Sequence, residues 1–305
     1  MELRTLRYFL EVAKEENMSK AAKQLHLSQS TLSKQLKRME EELGKRLFIR
    51  HSFSMELTEE GRLLKKRAQD LISMADKITE EFSSLDDGIG GNIYFGCAES
   101  YQVRYLARFI KEFKSRYPDF HYHITSGDTE QVTEKLDQGL FDFAVIVEEP
   151  DFDKYNVLKM PEADRWGVAM RRDSLLAAKE AITFEDLRGL PLFCSEQGWR
   201  RDLPGWCGGR MQELTLEGSF RLAYNGAVFA AEGLGYLLTF EYLVNTGPDS
   251  GLVFRPLYPP LKSNMYVIWK KGQIFTPIAG RFIEELREKL DEYRLSGNEN
   301  NKCNN

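Results

Sequence analysis

MSKAAKQLHLSQSTLSKQLKRMEEELGKRLFIR, residues 18–50, reads as a short helix, a tight turn and a longer helix whose outward face is polar. Ser19 is placed to cap the first helix, whose apolar positions are Ala21, Ala22 and Leu25, and the paired alanines let a second helix cross closely. His26 and Leu27 make the turn. Ser28 is a good N-cap for the second helix, and Leu27 and Leu32 have the spacing of a hydrophobic staple around it. By the helical period Leu32, Leu36, Met39 and Leu43 share one face, which leaves Gln29, Ser30, Thr31, Ser33, Lys34, Lys37 and Arg38 on the others. Gln pairs bidentately with adenine, Ser and Thr donate or accept at base edges, and Lys and Arg meet guanine or phosphate, so this set suits a DNA groove. A merely solvated face would carry similar residue types; what distinguishes this helix is the ordered succession of alanine pair, turn, cap and staple.

Outward from that stretch, Leu3, Leu6, Leu10 and Ala13, widened by Phe9 and Val12, predict a leading amphipathic helix that completes a three-helix core. After the second helix, Leu47, Phe48 and Ile49 run into HSFSMELT at 51–58, where alternation predicts a two-stranded wing with Arg50 beside phosphate. From Glu59, capped by Thr58, the residues Leu64, Ala68, Leu71, Ala75, Ile78, Phe82 and Leu85 recur in alternating steps of four and three. That is a heptad seam, and self-pairing through Leu64, Leu71, Ile78 and Phe82 is the expectation, with packing on the chain's own core as the competing one. DDGIGG at 86–91 then ends the helix and makes a hinge.

The chain has 305 residues and a formal net charge of −5, yet residues 1–70 carry 15 Lys and Arg against 11 Asp and Glu. The attractive field for a polyanion therefore sits on the segment that carries the motif, and the acidic remainder opposes non-specific sticking to DNA. No apolar run approaches the roughly 20 residues that span a bilayer, and charges at Glu2, Arg4 and Arg7 interrupt any leader-like start, so a cytoplasmic protein with no membrane partner is expected. Cys97, Cys194, Cys207 and Cys303 form no CxxC pair, which points to free thiols rather than a disulfide framework or zinc site; Cys194 and Cys207 leave a redox switch open.

From Asn92 to about residue 295 strands and helices alternate: NIYFGCA, a helix through Leu106, Phe109, Ile110 and Phe113, FHYHITS, another helix, then FDFAVIV. This is an α/β pattern with a largely parallel sheet, whose ligands belong at the carboxyl ends of the strands, where Ser100 and the SGDT stretch at 126–129 sit. A second set of elements opens at WGVAM (166–170), passes the loop SEQGWRRDLPGW (195–206) and continues through AYNGAVFAAEGLGYLLTF (223–240). GLG there follows a helix rather than a strand, so a dinucleotide loop is excluded on context and no cofactor signature survives. MYVIW at 265–269 and a helix from Pro277 to Tyr293 close the domain, and SGNENNKCNN reads as a disordered tail.

Except for that tail, the chain resembles the LysR-type transcriptional regulators. The likeness rests on FLEVAKEENMSKAAKQLHLSQSTLSKQLKRMEEELGKRLFIR (9–50) and LTEEG (57–61), followed in order by the Gly91–Gly96 strand, GLFDFAV (139–145) and EGLGYLL (232–238). The resemblance implies an α/β protein with an N-terminal winged helix-turn-helix (1–58), a long linker and dimerisation helix (59–88), and a two-lobed effector domain like periplasmic solute-binding proteins (89–295). Lobe I would be 89–163 with 267–295, lobe II 164–266, and the tail 296–305. It also implies that Gln29, Ser30, Thr31, Ser33, Lys34 and Lys37 face the major groove. Ser100, Thr129, Ser195, Gly198, Trp199, Asn225 and Thr239 would line a small-molecule cleft. Two positions depart from the family pattern: Ser30 stands where many members have proline, and Thr239-Phe240 replaces a common Leu-Pro.

The expected function is therefore a sequence-specific DNA-binding transcriptional regulator, controlled by a small effector held between two lobes. It would be a homodimer, with a tetramer built from two dimers and contact with RNA polymerase as further assemblies. Helix N-termini facing a cleft would favour an anionic effector. The alternative is a solute-binding module or enzyme whose N-terminal region mediates assembly, but His26, His51, His121 and His123 suggest no catalytic or metal-binding constellation. A thiol redox-sensing regulator is the lesser alternative.

Overall fold

Three helices packed through small and large apolar residues open the computed structural model, which describes residues 1–51, 54–84 and 90–302. The chain separates into two units, Met1–Ser83 and Ser84–Asn305. The first holds α1 (Leu3–Glu15), α2 (Met18–Gln24), α3 (Gln29–Leu43), the hairpin β1 (Phe48–Arg50) and β2 (Met55–Leu57), and α4 (Glu59–Ser84). Leu6, Phe9, Val12, Ala21, Leu32 and Leu36 form its buried centre, while Leu3 and Leu43, at the outer ends of the expected apolar stripes, are exposed. The α2 cap is Asn17, not Ser19: its side-chain oxygen accepts from the Ser19 and Lys20 N–H groups, both at 3.0 Å. Helix formation starts one residue before Ser19 because Met18 is buried as the first helical residue.

The turn that follows closes as a Schellman motif. His26 takes the left-handed conformation at φ 54°, its N–H donates to Lys23 O, and Leu27 N–H donates to Ala22 O at 2.9 Å. Ser28 then caps α3 by accepting from Thr31 N–H at 3.1 Å. Glu40 turns inward at the other end, where Oε1 accepts from Leu47 N–H at 2.8 Å and Phe48 N–H at 3.3 Å, fixing the strand that leads into the wing. Thr58 ties wing to helix, since its hydroxyl accepts from Gly61 N–H at 3.0 Å and donates to Arg46 O at 2.8 Å. Gly61 lies so close to this strand that an added Cβ would sit 2.2 Å from Leu47 O. Wing residues 52 and 53, seam residue Leu85 and the expected hinge at 86–89 lie outside the described residues.

Along α4 the expected single seam resolves into two stripes. Ala68 and Ile72 are buried with the partly buried Leu64 in the first unit's core, whereas Leu71, Ile78 and Phe82 are 47%, 47% and 68% exposed. At about 100° per residue Leu64 falls at the same angle as Phe82, on the edge of the second stripe nearest the core, and among the described residues the rest of that stripe is left exposed.

The second unit contains β3 (Gly91–Cys97), α5 (Val103–Arg116), β4 (Phe120–Ser126), α6 (Thr129–Asp137), β5 (Phe143–Ile146) and β6 (Tyr155–Arg171). There follow α7 (Phe184–Leu187), β7 (Pro191–Ser195), α8 (Leu203–Trp206), β8 (Thr215–Phe220), α9 (Ala223–Ala231), β9 (Tyr236–Phe240), β10 (Leu252–Pro256), β11 (Lys262–Lys270) and α10 (Pro277–Lys302). The sheet order is β4-β3-β5-β11-β6-β9-β7-β8, with β10 also on β6. It is mixed rather than largely parallel: β3 runs parallel to β4 and β5, and β7 to β8 and β9, but β6, β10 and β11 pair antiparallel.

WGVAM is the second half of one 17-residue strand, β6, which pairs with β11 near Tyr155–Lys159 and again at Ala163–Arg165 before reaching β9 and β10. Two antiparallel strands thus run through both lobes. Phe282 of α10 anchors lobe I among Phe95, Phe109, Phe113 and Phe143, at ring separations of 5.0–5.8 Å. The segment expected as a tail from residue 296 instead continues α10 through Lys302; it lacks proline, and one glycine costs a helix only about 1 kcal/mol. No helix among the described residues is long and apolar enough to cross a membrane.

Gly61→Ala drives its methyl into a backbone carbonyl that the Thr58 and Glu40 bonds hold in place. The expected outcome is a loss of about 2–3 kcal/mol from the N-terminal unit, read as a lower thermal midpoint by circular dichroism.

Candidate DNA-facing helix and effector cavity

Two surfaces gather the residues singled out in the sequence. On the first unit, Gln29, Ser30, Thr31, Lys34, Lys37 and Arg38 are exposed on α3 and Ser33 is half-buried, opposite Leu32, Leu36 and Met39. Ser28 Oγ lies 3.0 Å from Ser30 Oγ and 2.8 Å from Thr31 Oγ1, so the first turn presents a hydroxyl cluster next to the helix's free N–H groups. Arg50, exposed on β1, donates to Ser33 Oγ at 3.4 Å and brings wing and helix together. Lys37 and Arg38 pair with Glu41 and Glu42 one turn on. Such exposed pairs are worth about 0.3–0.5 kcal/mol and yield readily to a phosphate.

The second surface is a cavity of about 640 Å3 between the lobes. Its floor is apolar, with Trp166 against Phe240 at 4.5 Å and Ile146, Val147 and Leu238 beside them. Thr129, Ser195, Gly198 and Thr239 line it, whereas Ser100, Trp199 and Asn225 do not. Ser100 is buried, donating to Asp164 and accepting from Gln102 N–H. Trp199 packs on the main core, and Asn225 is exposed elsewhere on α9. Gly198 sits where a Cβ would meet the Trp166 ring at 2.4 Å, and Ser195 Oγ accepts from its N–H at 3.1 Å.

The sequence reading missed the wall's charge. Carboxylates outnumber basic groups eight to four around the cavity, and they arrive from positions far apart in the chain. Glu99 follows β3, Asp128 and Glu130 follow β4, and Glu148, Glu149 and Asp151 follow β5, so the carboxyl ends of three parallel strands assemble them. Carboxylates already stand at the N-termini of two helices beside the cavity: Asp128 caps α6 through Gln131 N–H at 2.9 Å, and Glu99 accepts from Ala223 N–H of α9 at 2.6 Å. Bonds cross between the lobes, from Arg201 to Glu148, from Arg221 to Asp128 at 3.5 Å, and from Thr129 N–H to Gln197 Oε1 at 3.4 Å. Burial, and the nearby charges of Asp202, Asp128 and Glu130, push Glu148 up in spite of Arg201.

His121 and His123 are exposed on β4, the latter bonded to Asn92 and stacked on Tyr94. Among the described residues no three His, Cys, Asp or Glu side chains are grouped to hold a metal. Cys97, Cys194 and Cys207 are free and buried; burial pushes the Cys97 thiol up to about 12 and raises Cys194 and Cys207 too, which suppresses the thiolate that redox sensing needs. Cys303 lies outside the described residues.

Residues 3–62 match the family described as bacterial regulatory helix-turn-helix protein, lysR family, and residues 86–291 match the LysR substrate binding domain. The chain is 25% identical over 314 residues to the uncharacterized HTH-type transcriptional regulator YcgK of Bacillus subtilis (strain 168), covering 96% of each protein. It is 24% identical over 299 residues to the hydrogen peroxide-inducible genes activator of Dickeya chrysanthemi, again covering 96% of each. Its fold superposes on full-length CbnR in complex with its target DNA with a TM-score of 0.75, at 21% identity, over 95% of this chain and 100% of that one.

Asp164, on β6 where it runs between the lobes, is 2% exposed, and Ser100 and Gln102 donate to it. Burial pushes its carboxyl up to about 6 against those bonds and the charge of Arg104. Since the folded state raises this value, the stabilisation is full below the ordinary value of 3.8 and is lost as pH rises through about 6. From pH 5 to 7 denaturant unfolding should show a loss on the order of 1 kcal/mol, which Asp164→Asn removes.

Proposed function

This chain belongs to the LysR family of bacterial transcriptional regulators, and we propose which of its residues carry that role. It is a DNA-binding regulator with an effector-binding domain, and double-stranded DNA is its partner. We assign the DNA contacts to the exposed face of α3, with Gln29, Ser30, Thr31 and Ser33 at base edges, Lys34, Lys37 and Arg38 at bases or phosphates, and Arg50 on the backbone. The bond between Arg50 and Ser33 supports this reading, because it sets the wing cation beside the helix that would enter the groove. We assign effector binding to the cavity lined by Thr129, Ser195, Gly198 and Thr239. An effector with different affinities for two lobe arrangements shifts the population of DNA-bound states, in the cytoplasm where DNA and RNA polymerase are reached.

We assign dimerisation to the exposed stripe of Leu71, Ile78 and Phe82, since an uncovered apolar row on a 26-residue helix is costly in water. The three described thiols are buried and give no support to the redox-sensing alternative.

Selection of genomic fragments by the purified chain, followed by footprinting, should yield an interrupted palindrome; failure to enrich any site, with cell extract supplying effectors, overturns the assignment. Lys34→Ala should lower the salt slope of binding by about one. Phe82→Asp should shift sedimentation toward monomer, and an unaltered oligomer removes the stripe from dimerisation.

A further inference from the structure

The cavity wall is divided by sign. Lobe I presents Glu99, Asp128, Glu130, Glu148, Glu149 and Asp151 against Lys154 alone. Lobe II presents Arg200, Arg201 and Arg221 with Glu196 and Asp202. All four basic groups already have carboxylate partners, three of them in the cavity, while Lys154 pairs with Asp137 outside it at 2.5 Å. The carboxylates left over bias the interior toward positive charge.

A second observation points to a ligand. Thr129 is 7% exposed and lines the cavity, yet its Oγ1 is buried without a hydrogen-bond partner, as is Gln197 Nε2 across the cleft. Thr129 and Gln197 already meet through Thr129 N–H and Gln197 Oε1 at 3.4 Å, and each orphaned atom beside that contact costs about 1–3 kcal/mol unless a group in the cavity completes its bonds. Thr129 can accept an N–H, and Gln197 Nε2 needs an acceptor. Trp166 and Phe240 beneath them offer a floor for an alkyl chain.

We propose that the effector of this cavity is a small organic cation, carrying an ammonium or guanidinium for the lobe I carboxylates, a short apolar chain, and one acceptor for Gln197. The proposal rests on reading this cavity as the effector site. Such a cation competes with Arg201 and Arg221 for Glu148 and Asp128, so its binding rearranges the ionic contacts that cross between the lobes. A dicarboxylate instead meets carboxylates where it would need donors, with Asp128 and Glu99 already standing at the N-termini of α6 and α9.

The test is calorimetric titration of the full-length protein with two sets of probes of similar length. Lysine, agmatine and 1,4-diaminobutane carry net positive charge; glutamate, butanedioate and 4-aminobutanoate are anionic or neutral overall. The expected result is at least tenfold tighter binding by a member of the cationic set than by any of the second set. A combined Glu130→Gln and Glu149→Gln variant, altered only on the exposed rim, should weaken that binding five- to tenfold, and Thr129→Val should weaken it as well. Equal or tighter binding by the second set, lost in Thr129→Val, overturns the charge class while leaving the cavity as the effector site. Cation binding untouched by any of these substitutions overturns the cavity itself. No binding by the cationic set overturns the proposal.

Discussion

The antiparallel pairing of β6 with β11 is the constraint on which the second unit depends. Both strands pass from one lobe to the other, so the lobes share two paired strands, broken by one irregularity between Asn264 and Tyr266, instead of a loose tether. A cavity between them follows, because the buried core runs along the shared strands through both lobes and leaves the strand ends that face each other uncovered. Asp164 lies on this passage, held by Ser100 and Gln102 from the start of α5. A motion of one lobe against the other must flex these two strands, and the buried carboxyl lies on one of them.

The first unit rests on local backbone accounting. Asn17, the His26 turn, Ser28, Glu40 and Thr58 each satisfy backbone groups at a place where one element ends and the next begins. Because every joint is bonded in this way, the angle between α2 and α3 and the position of the wing are set without a large core. Gly61 completes the set, bringing α4 against the strand through the one residue type that fits there.

Much of this was legible in the sequence for the same reason: caps, turns and apolar periods act over a few residues. Ser28 and Thr58 were read correctly, and Asn17 was missed because two cap-competent residues stand two apart and only the burial of Met18 decides between them. Along α4 the four-three spacing could not separate the residues buried in the chain's own core, Ala68 and Ile72, from the exposed Leu71, Ile78 and Phe82, because the two apolar stripes lie less than a quarter-turn apart. In the effector domain Thr129, Ser195, Gly198 and Thr239, named through resemblance, line the cavity, whereas Ser100, Trp199 and Asn225 do not, since tertiary packing decides which way they face. The acidic wall was invisible along the chain, since its members meet only when three parallel strands align their ends. The available signal was that each strand run, NIYFGCA, FHYHITS and FDFAVIV, is followed within a few residues by Asp or Glu.

The charge along α3 is uneven, with Lys34, Lys37 and Arg38 ahead of Glu40, Glu41 and Glu42. Glu40 is turned inward, but Glu41 and Glu42 remain at the surface. For a rod of phosphates this helix is therefore polar in the sense of a magnet: one end is drawn in and the other repelled. An approach to DNA by the basic half is favoured over one by the acidic end, which biases the orientation of the encounter independently of base sequence.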